Sequence, residues 1–384
     1  MTTSWEIVFW SCVVLLVYAQ VGYPLLLAAL ARLKRPAAVR AAGTEDSDRT
    51  QPNVSLIVAA YDEGAVIAAK VADALALDYP RELLEVIVAS DGSADGTVSE
   101  ARGSGADVVL DLPRGGKIRA QDTAVAQARG DILAFSDANS SWEPDALHRL
   151  VAAFEDPAVG YACGQVRFTL DPTHPGTNQE GLYWRYEMAL RAMESKLGSI
   201  TAGNGAIYAT RREAYINVDP IMGHDLSFPF NMVKRGWRAI YVPQARATEK
   251  MVPSIEGEFA RKRRMMSHAW PIVLRGGLLS PRGYPPLYLL MIVSHRVLRY
   301  AAPFLHVVAL LTSAILFGES VVYAVAFWLQ LALLAAAVLG GLVRFKPLLV
   351  ARYYVLTVAS VAAGLWDWLR HGTPAGWEPA DGTR

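Results

Sequence analysis

The chain has 384 residues, 53% of them from the AVILMFWYC set, with 37 basic against 36 acidic residues and a formal net charge of +1. This composition excludes disorder and a collagen repeat, and the two cysteines exclude a disulfide-stapled mini-protein. The even charge balance gives no electrostatic footprint for nucleic acid, and Cys12 and Cys163 are expected to be buried, inert thiols.

From Trp5 to Leu33 the chain reads WEIVFWSCVVLLVYAQVGYPLLLAALARL, with Glu6 the only charge before Arg32. The run exceeds the roughly 20 residues a spanning helix needs. No basic residue precedes it, which favours an anchor over a cleaved signal peptide. Residues 1–35 are therefore predicted to be an N-terminal transmembrane helix. Arg32, Lys34, Arg35 and Arg40 follow it and place the next segment in the cytoplasm.

Residues 50–252 read as a soluble domain in which apolar runs alternate with helical patterns. VSLIVAA (54–60), LEVIVAS (84–90), DVVLDL (107–112) and DILAFSD (131–137) are predicted strands, each followed by a helical segment. Runs that are apolar on both faces predict an α/β fold, a mostly parallel sheet with helices on both faces. Such sheets bind ligands beyond the carboxyl ends of their strands. Carboxylates stand there in Ala-Tyr-Asp-Glu-Gly (60–64), Ser-Asp-Gly-Ser-Ala-Asp-Gly-Thr (90–97) and Ser-Asp-Ala-Asn-Ser (136–140). Ser93 and Asp95 suit an Asx-turn or helix cap. The glycine-rich stretches match neither the dinucleotide fingerprint nor a P-loop.

Residues 253–298 are predicted to be interfacial amphipathic helices. In the helix near 256–270, Phe259, Met266 and Trp270 share one side and Arg261, Arg264 and His268 another. Lipid headgroups would account for the neighbouring Lys262 and Arg263. Residues 299–370 hold two spans, 301–317 and 321–343, and a third apolar segment, 348–369, that carries Arg352 and Asp367. If that segment spans, the tail 371–384 lies outside; if it lies at the interface, the tail joins the soluble domain.

The ordered set VAAYDEG, VASDGSADGT, GGK (115–117), FSDANS, GNGAIYATRR (203–212), GHDLSFPF (223–230) and RKRRM (261–265) resembles the family 2 membrane glycosyltransferases of GT-A fold, the group of cellulose, hyaluronan and poly-N-acetylglucosamine synthases. The resemblance implies a GT-A nucleotide-sugar-binding domain and an inverting transfer from a nucleotide sugar, commonly UDP-linked, to an acceptor hydroxyl in polysaccharide or glycolipid assembly. By it, Tyr61 and Glu63 border the nucleoside, Asp91 accepts from the base, and Lys117, Asp137, Arg261 and Arg264 serve the nucleotide-sugar diphosphate. Mg²⁺ or Mn²⁺ would be held by Asp137 and Asn139, although an amide stands where the family's Asp-x-Asp motif has its second acid. Asp225 is the expected general base, with His224 in place of the acid that often precedes it. Gly203, Asn204 and Gly205 form the expected acceptor loop, and Trp184, with Tyr183 and Tyr186 beside it, offers an aromatic surface for the acceptor or for the core. Met265 stands where relatives carry a tryptophan.

The resemblance also implies an integral protein of the plasma (inner) membrane with its catalytic domain in the cytoplasm. Its partners would be a UDP-sugar, a glycan or lipid-linked acceptor and membrane lipids, with no nucleic acid. A homo-oligomer or an export partner would complete a polymer channel. Single-sugar transfer to a lipid-linked acceptor is the alternative reading, and a non-catalytic nucleotide-sugar-binding scaffold is the alternative of another class.

Overall fold

The computed structural model describes residues 2–34, 51–169, 177–250 and 254–376. Arg35 and Arg40, the Tyr183 side chain and the tail beyond residue 376 lie outside the described residues. The N-terminal apolar run is helical as expected: α1 (Thr2–Val17) and α2 (Tyr23–Leu33) are joined by a π-turn at Tyr18–Gly22. Cys12 and Cys163 are both free and buried.

The alternating pattern folds as predicted in its first half. β1 (Val54–Ala60), α3 (Ile67–Leu75), β2 (Leu84–Asp91), α4 (Thr97–Gly103), β3 (Val108–Leu112), α5 (Lys117–Gln127) and β4 (Ile132–Asp137) follow in order, and the four strands form parallel ladders. Every residue of β1 and β2 is buried, which requires cover on both faces. Leu56, Val86 and Ala134 face a core shared with Leu147 and Leu150, whereas Ile57, Ile87 and Phe135 face Ala120, Ala124 and Phe228.

Beyond β4 the parallel pattern gives way to a mixed one. β5 (Ser141–Trp142), α6 (Ala146–Ala152), β6 (Val159–Thr169), α7 (Thr177–Leu197), β7 (Ile207–Arg211), α8 (His224–Lys234) and β8 (Arg238–Lys250) complete a sheet of order β3-β2-β1-β4-β7-β6-β8-β5. β7 runs antiparallel to both β4 and β6, β8 is parallel to β6, and β5 pairs antiparallel with β8. Because β7 reverses, Ile207 starts opposite Ser136, and the 203–206 loop arrives where β4 ends.

The C-terminal third comprises α9 (Ile255–Leu274), α10 (Pro286–Met291), a π-turn at Ile292–Val297, α11 (Leu298–Ile315), α12 (Val321–Leu339) and α13 (Lys346–His371). Pro286–Ile315 is one continuous rod, so the division expected at residue 298 falls inside a helix. Thr3–Leu33, Pro286–Ile315, Val321–Leu339 and Lys346–His371 are each long and apolar enough to cross a membrane. Leu25, Leu311, Leu329 and Val338 on the first three are more than half exposed, the outward apolar surface that lipid would cover.

α13 differs. It lies along α9 through Arg263–Asp367, Arg352–Glu256 and Lys262–Tyr353 contacts, and the Trp270 indole N–H donates to the Val361 carbonyl at 2.9 Å. Lys262 and Arg263 thus bind α13, where lipid headgroups had been expected. After α13 the chain turns back to the domain: the Thr373 hydroxyl donates to the Ser267 carbonyl at 2.8 Å, and a Cβ on Gly116 would collide with the Ala375 carbonyl. The tail through residue 376 thus lies against α9 and the Gly116 turn.

Candidate active site

The strand register brings three of the predicted residues to one end of the sheet. Ala59 pairs with both Ala89 and Asp137, so Tyr61, Asp91 and Asp137 lie at adjacent strand ends. The connection after β1 is shaped by its own polar residues. Asp62 adopts φ 49° and accepts from the Ala94 N–H at 2.8 Å, while the Asp95 carboxylate accepts from the Gly64 and Thr97 N–H groups at 2.9 and 3.0 Å. Asp95 therefore makes the Asx-type turn that was expected. Glu63 is buried in this connection, and its main-chain N–H donates to the Thr97 hydroxyl at 2.8 Å.

Asp91 is 1% exposed and accepts from the Gly115 N–H at 2.6 Å, the Gly116 N–H at 3.0 Å and Arg114 at 3.1 Å. Its carboxylate thus organises the Arg-Gly-Gly-Lys segment, and the Arg114 guanidinium lies 3.2 Å above the centre of the Tyr61 ring. Sequence reasoning did not single out Arg114; its place directly before the Gly-Gly-Lys run was the available signal. Gly116 has φ +97°, a conformation that only glycine adopts at low cost.

From this turn Lys117 opens α5 and forms an ion pair with Asp137 at the end of β4. Gly205 sits beside the pair: a Cβ there would lie 3.3 Å from Lys117 Nζ and 3.9 Å from Asp137 Oδ2. The expected acceptor loop is rigidly held. The Asn204 side chain accepts from the Ile207 N–H at 2.9 Å and donates to the Gly164 carbonyl at 2.6 Å, and the Gly203 N–H donates to the Asp225 carbonyl at 2.7 Å. A Cβ on Gly203 would strike the Tyr161 hydroxyl.

Asp225 occupies the first turn of α8, whose N-cap is Gly223. Among the described residues its carboxylate has no hydrogen bond or ion pair, so it is not consumed as a cap. His224 is buried, stacks on Phe228 at 4.0 Å and lies 2.7 Å from the Tyr208 hydroxyl through Nδ1. Burial, helped by Lys117, pushes its pKa down to about 3 and keeps it neutral. His268 on α9 has its Nδ1 3.1 Å from the Ile221 carbonyl, and burial lowers its pKa.

Glu249, near the end of β8, is a candidate site residue that sequence reasoning missed. It lies on the strand face of Ala245 and Ala247, which pack with Trp142. Burial and the neighbouring Asp137 push its pKa up to about 7. Among the described residues no three His, Cys, Asp or Glu side chains form a metal cluster. Asp137, Asn139 and Glu249 nevertheless supply oxygen donors of the type that hard divalent cations take.

Two expected binders sit at the edge of this group. Arg261 is held by Glu258 through two hydrogen bonds of 2.7 Å, whereas Arg264 is exposed one turn before His268. Trp184 packs against Phe168 at 5.2 Å, and the Tyr186 hydroxyl donates to the Gln20 carbonyl at 3.2 Å. These contacts turn both aromatics to neighbouring elements of the fold.

Comparison with known proteins agrees with this architecture. The family described as "Glycosyltransferase like family 2" matches residues 52–267, more than half of the chain. A Mesorhizobium japonicum protein named N-acetylglucosaminyltransferase is 28% identical over 240 residues, 57% of this chain and 56% of its own length. A Synechocystis beta-monoglucosyldiacylglycerol synthase is 31% identical over 170 residues, 41% of this chain and 33% of its own. The match to the first of these spans about half of that relative's length. The mannosyltransferase PcManGT from Pyrobaculum calidifontis, solved with GDP-Man and Mn²⁺, superposes with a TM-score of 0.70 at 25% identity, covering 94% of this chain and 99% of that one. With the sheet order, the residues at its edge and the family match in agreement, the chain belongs to the family 2 glycosyltransferases of GT-A fold.

Proposed function

We propose that the protein is a membrane-integrated inverting glycosyltransferase that moves a sugar from a nucleotide sugar, a UDP-sugar in the first instance, to the hydroxyl of a glycan or lipid-linked acceptor. The observation that carries the reading is Asp225, a carboxylate left uncommitted in the first turn of α8 and joined through its own main chain to the Gly203 loop. In the transfer, the acceptor oxygen attacks the anomeric carbon opposite the diphosphate. Asp225 takes the hydroxyl proton as the new C–O bond forms, and the anomeric carbon–phosphate oxygen bond breaks to release the nucleoside diphosphate.

Asp91 and Arg114 hold the loop on which the nucleotide rests, and Tyr61 borders it. Lys117 and Arg264 answer the charge that grows on the departing diphosphate. A Mg²⁺ or Mn²⁺ ion held by Asp137, Asn139 and Glu249 would neutralise that same charge as a Lewis acid. The Mn²⁺ bound in the solved mannosyltransferase supports this assignment. The basic residue after α2 and the return of the tail to the domain support a catalytic face on the cytoplasmic side of a plasma (inner) membrane. α13, paired along α9 through charged groups, is read as an interfacial helix.

The similarity to a diacylglycerol-modifying enzyme favours a second reading, single-sugar transfer to a membrane lipid. The test is nucleoside diphosphate release in lipid nanodiscs from a panel of UDP- and GDP-sugars, with and without Mg²⁺ or Mn²⁺, beside Asp225→Asn. Release from one donor that the variant abolishes supports the transferase reading. Donor binding without release from any sugar supports a non-catalytic scaffold instead. Product length separates polymer from single transfer.

A further inference from the structure

Thr201, two residues before the expected acceptor loop, is fully buried at the junction between the domain and the apolar helices. Its hydroxyl accepts from Arg296 Nε at 2.9 Å and donates to Glu194 Oε2 at 3.1 Å, and its main-chain N–H reaches the same carboxylate at 3.0 Å. Glu194, itself fully buried, accepts from the Tyr23 hydroxyl at 2.7 Å and lies 2.6 Å from His295 Nδ1. Tyr23 opens α2, while His295 and Arg296 belong to the π-turn that joins α10 to α11. The two π-turns in these rods touch through Tyr18 and Ser294, whose hydroxyls are 2.9 Å apart.

On the other side of Thr201 the chain of contacts continues into the site. The Gly203 carbonyl accepts from Arg191 at 2.9 Å, and its N–H holds the Asp225 carbonyl at 2.7 Å. Hydrogen bonds therefore tie two apolar rods to Thr201, and two peptide units further on the Gly203 N–H holds the main chain of the candidate base. A buried ionic cluster adds little stability over a well-packed apolar one. This arrangement is better explained by the geometry it fixes, and π-turns are frequent where a helix serves a site.

We propose that Thr201 is a positioning residue that transmits the seating of the α1–α2 and α10–α11 rods to the Gly203–Asp225 contact, and so fixes the acceptor loop against the base. The catalytic half of this proposal rests on Asp225 being the base; the mechanical half does not. The tests use the full-length protein in lipid nanodiscs, with Thr201→Val, Thr201→Ser and Tyr23→Phe.

Amide hydrogen exchange over 200–206 and 222–228 is expected to rise about tenfold in Thr201→Val and to stay near wild type in Thr201→Ser, which keeps the hydroxyl. Tyr23→Phe, one rod away, should loosen the same two segments while 54–60 stays protected. Turnover in the nucleotide-release assay should fall with the KM for nucleotide sugar unchanged. If Val and Ser behave alike, or if exchange rises equally in 54–60, Thr201 is merely structural and the proposal fails. Should Thr201→Val not fold, Tyr23→Phe decides by the same criteria. Loosening of both segments with undiminished turnover would uphold the mechanical coupling and overturn its catalytic half, while Asp225→Asn in the same assay tests the base separately.

Discussion

Lys117 and Asp137 form an ion pair across the ends of α5 and β4, with side chains 24% and 29% exposed. The pair occupies the carboxylate that a divalent cation would need. A donor diphosphate accompanied by a cation would exchange both partners at once, Lys117 turning to phosphate and Asp137 to the metal.

Lys117→Ala is therefore expected to have effects of opposite sign. Calorimetry should show Mn²⁺ alone binding more tightly, because Asp137 is freed, and nucleoside diphosphate binding about tenfold more weakly, because one charge-assisted contact is lost. Weakening of both would mean that Lys117 shapes the cation site and does not compete with it.

Asp91 makes a separate prediction. Its carboxylate satisfies two glycine N–H groups and Arg114 in a fully buried setting, and each hydrogen bond to a charged group contributes about 1.5–3 kcal/mol. Asp91→Asn should loosen 112–118 to hydrogen exchange and weaken nucleotide binding about tenfold or more, while the β1–β4 ladders remain protected. Gly116→Ala should act on the same loop by strain, since alanine at φ +97° would also strike the Ala375 carbonyl.

The acid stability of the fold should carry the signature of His224. Its folded pKa is pushed down to about 3, so the neutral ring stabilises the fold above the unfolded value near 6.5. As pH falls from about 6.5 towards 3 the unfolded chain takes up a proton that the native chain refuses, at up to about 1.4 kcal/mol per pH unit. Unfolding midpoints of wild type and His224→Gln should converge as pH falls through that window. A difference that is constant with pH would mean the ring is not held neutral.

The β1–β4 half of the sheet was legible because each strand is apolar on both faces and each is followed at once by a helix, a pattern local to the sequence. The antiparallel half was not. β8 contains Pro243 and interleaves Arg246 and Thr248 with buried alanines, so its strand character depends on β5 and β6, which pair with it from distant parts of the chain. Glu249 was missed for the same reason: nothing near it in sequence reveals Asp137. The order of the motifs pointed to Asp91 and Asp137 at adjacent strand ends and to Lys117 beside them, but not to the glycine amides that enclose Asp91. The π-turns were hidden too, since their geometry accompanies contacts between rods such as Tyr18–Ser294.

Glu249 predicts the opposite pH trend. Its folded pKa is raised to about 7 by burial and by Asp137, so its contribution to stability is full below the unfolded value near 4.3 and is lost as pH rises through about 7. Glu249→Gln, which cannot ionise, should be more stable than wild type above pH 7 in the absence of divalent cations, and the advantage should vanish below pH 5. An advantage independent of pH would show that packing, and not the buried charge, sets the difference.

The docking of α13 on α9 separates an exposed ion pair from a buried hydrogen bond. Arg263 is 45% exposed where it meets Asp367, and exposed pairs contribute about 0.2–1 kcal/mol. The Trp270 indole N–H is buried against the Val361 carbonyl, a second bond to a carbonyl inside α13, and such a hydrogen bond contributes about 0.5–1.5 kcal/mol. Trp270→Phe also opens space beside Tyr300 and Phe304, whose rings it contacts at 5.7 and 6.5 Å, so packing loss adds to the same sign. Proteolysis after α13 and the unfolding midpoint in nanodiscs should therefore respond strongly to Trp270→Phe and weakly to Asp367→Asn. If Asp367→Asn alone releases the tail, the charged contacts carry the docking. The loss of Ala375 from Gly116 should then appear in nucleotide binding before any change in the stability of the sheet.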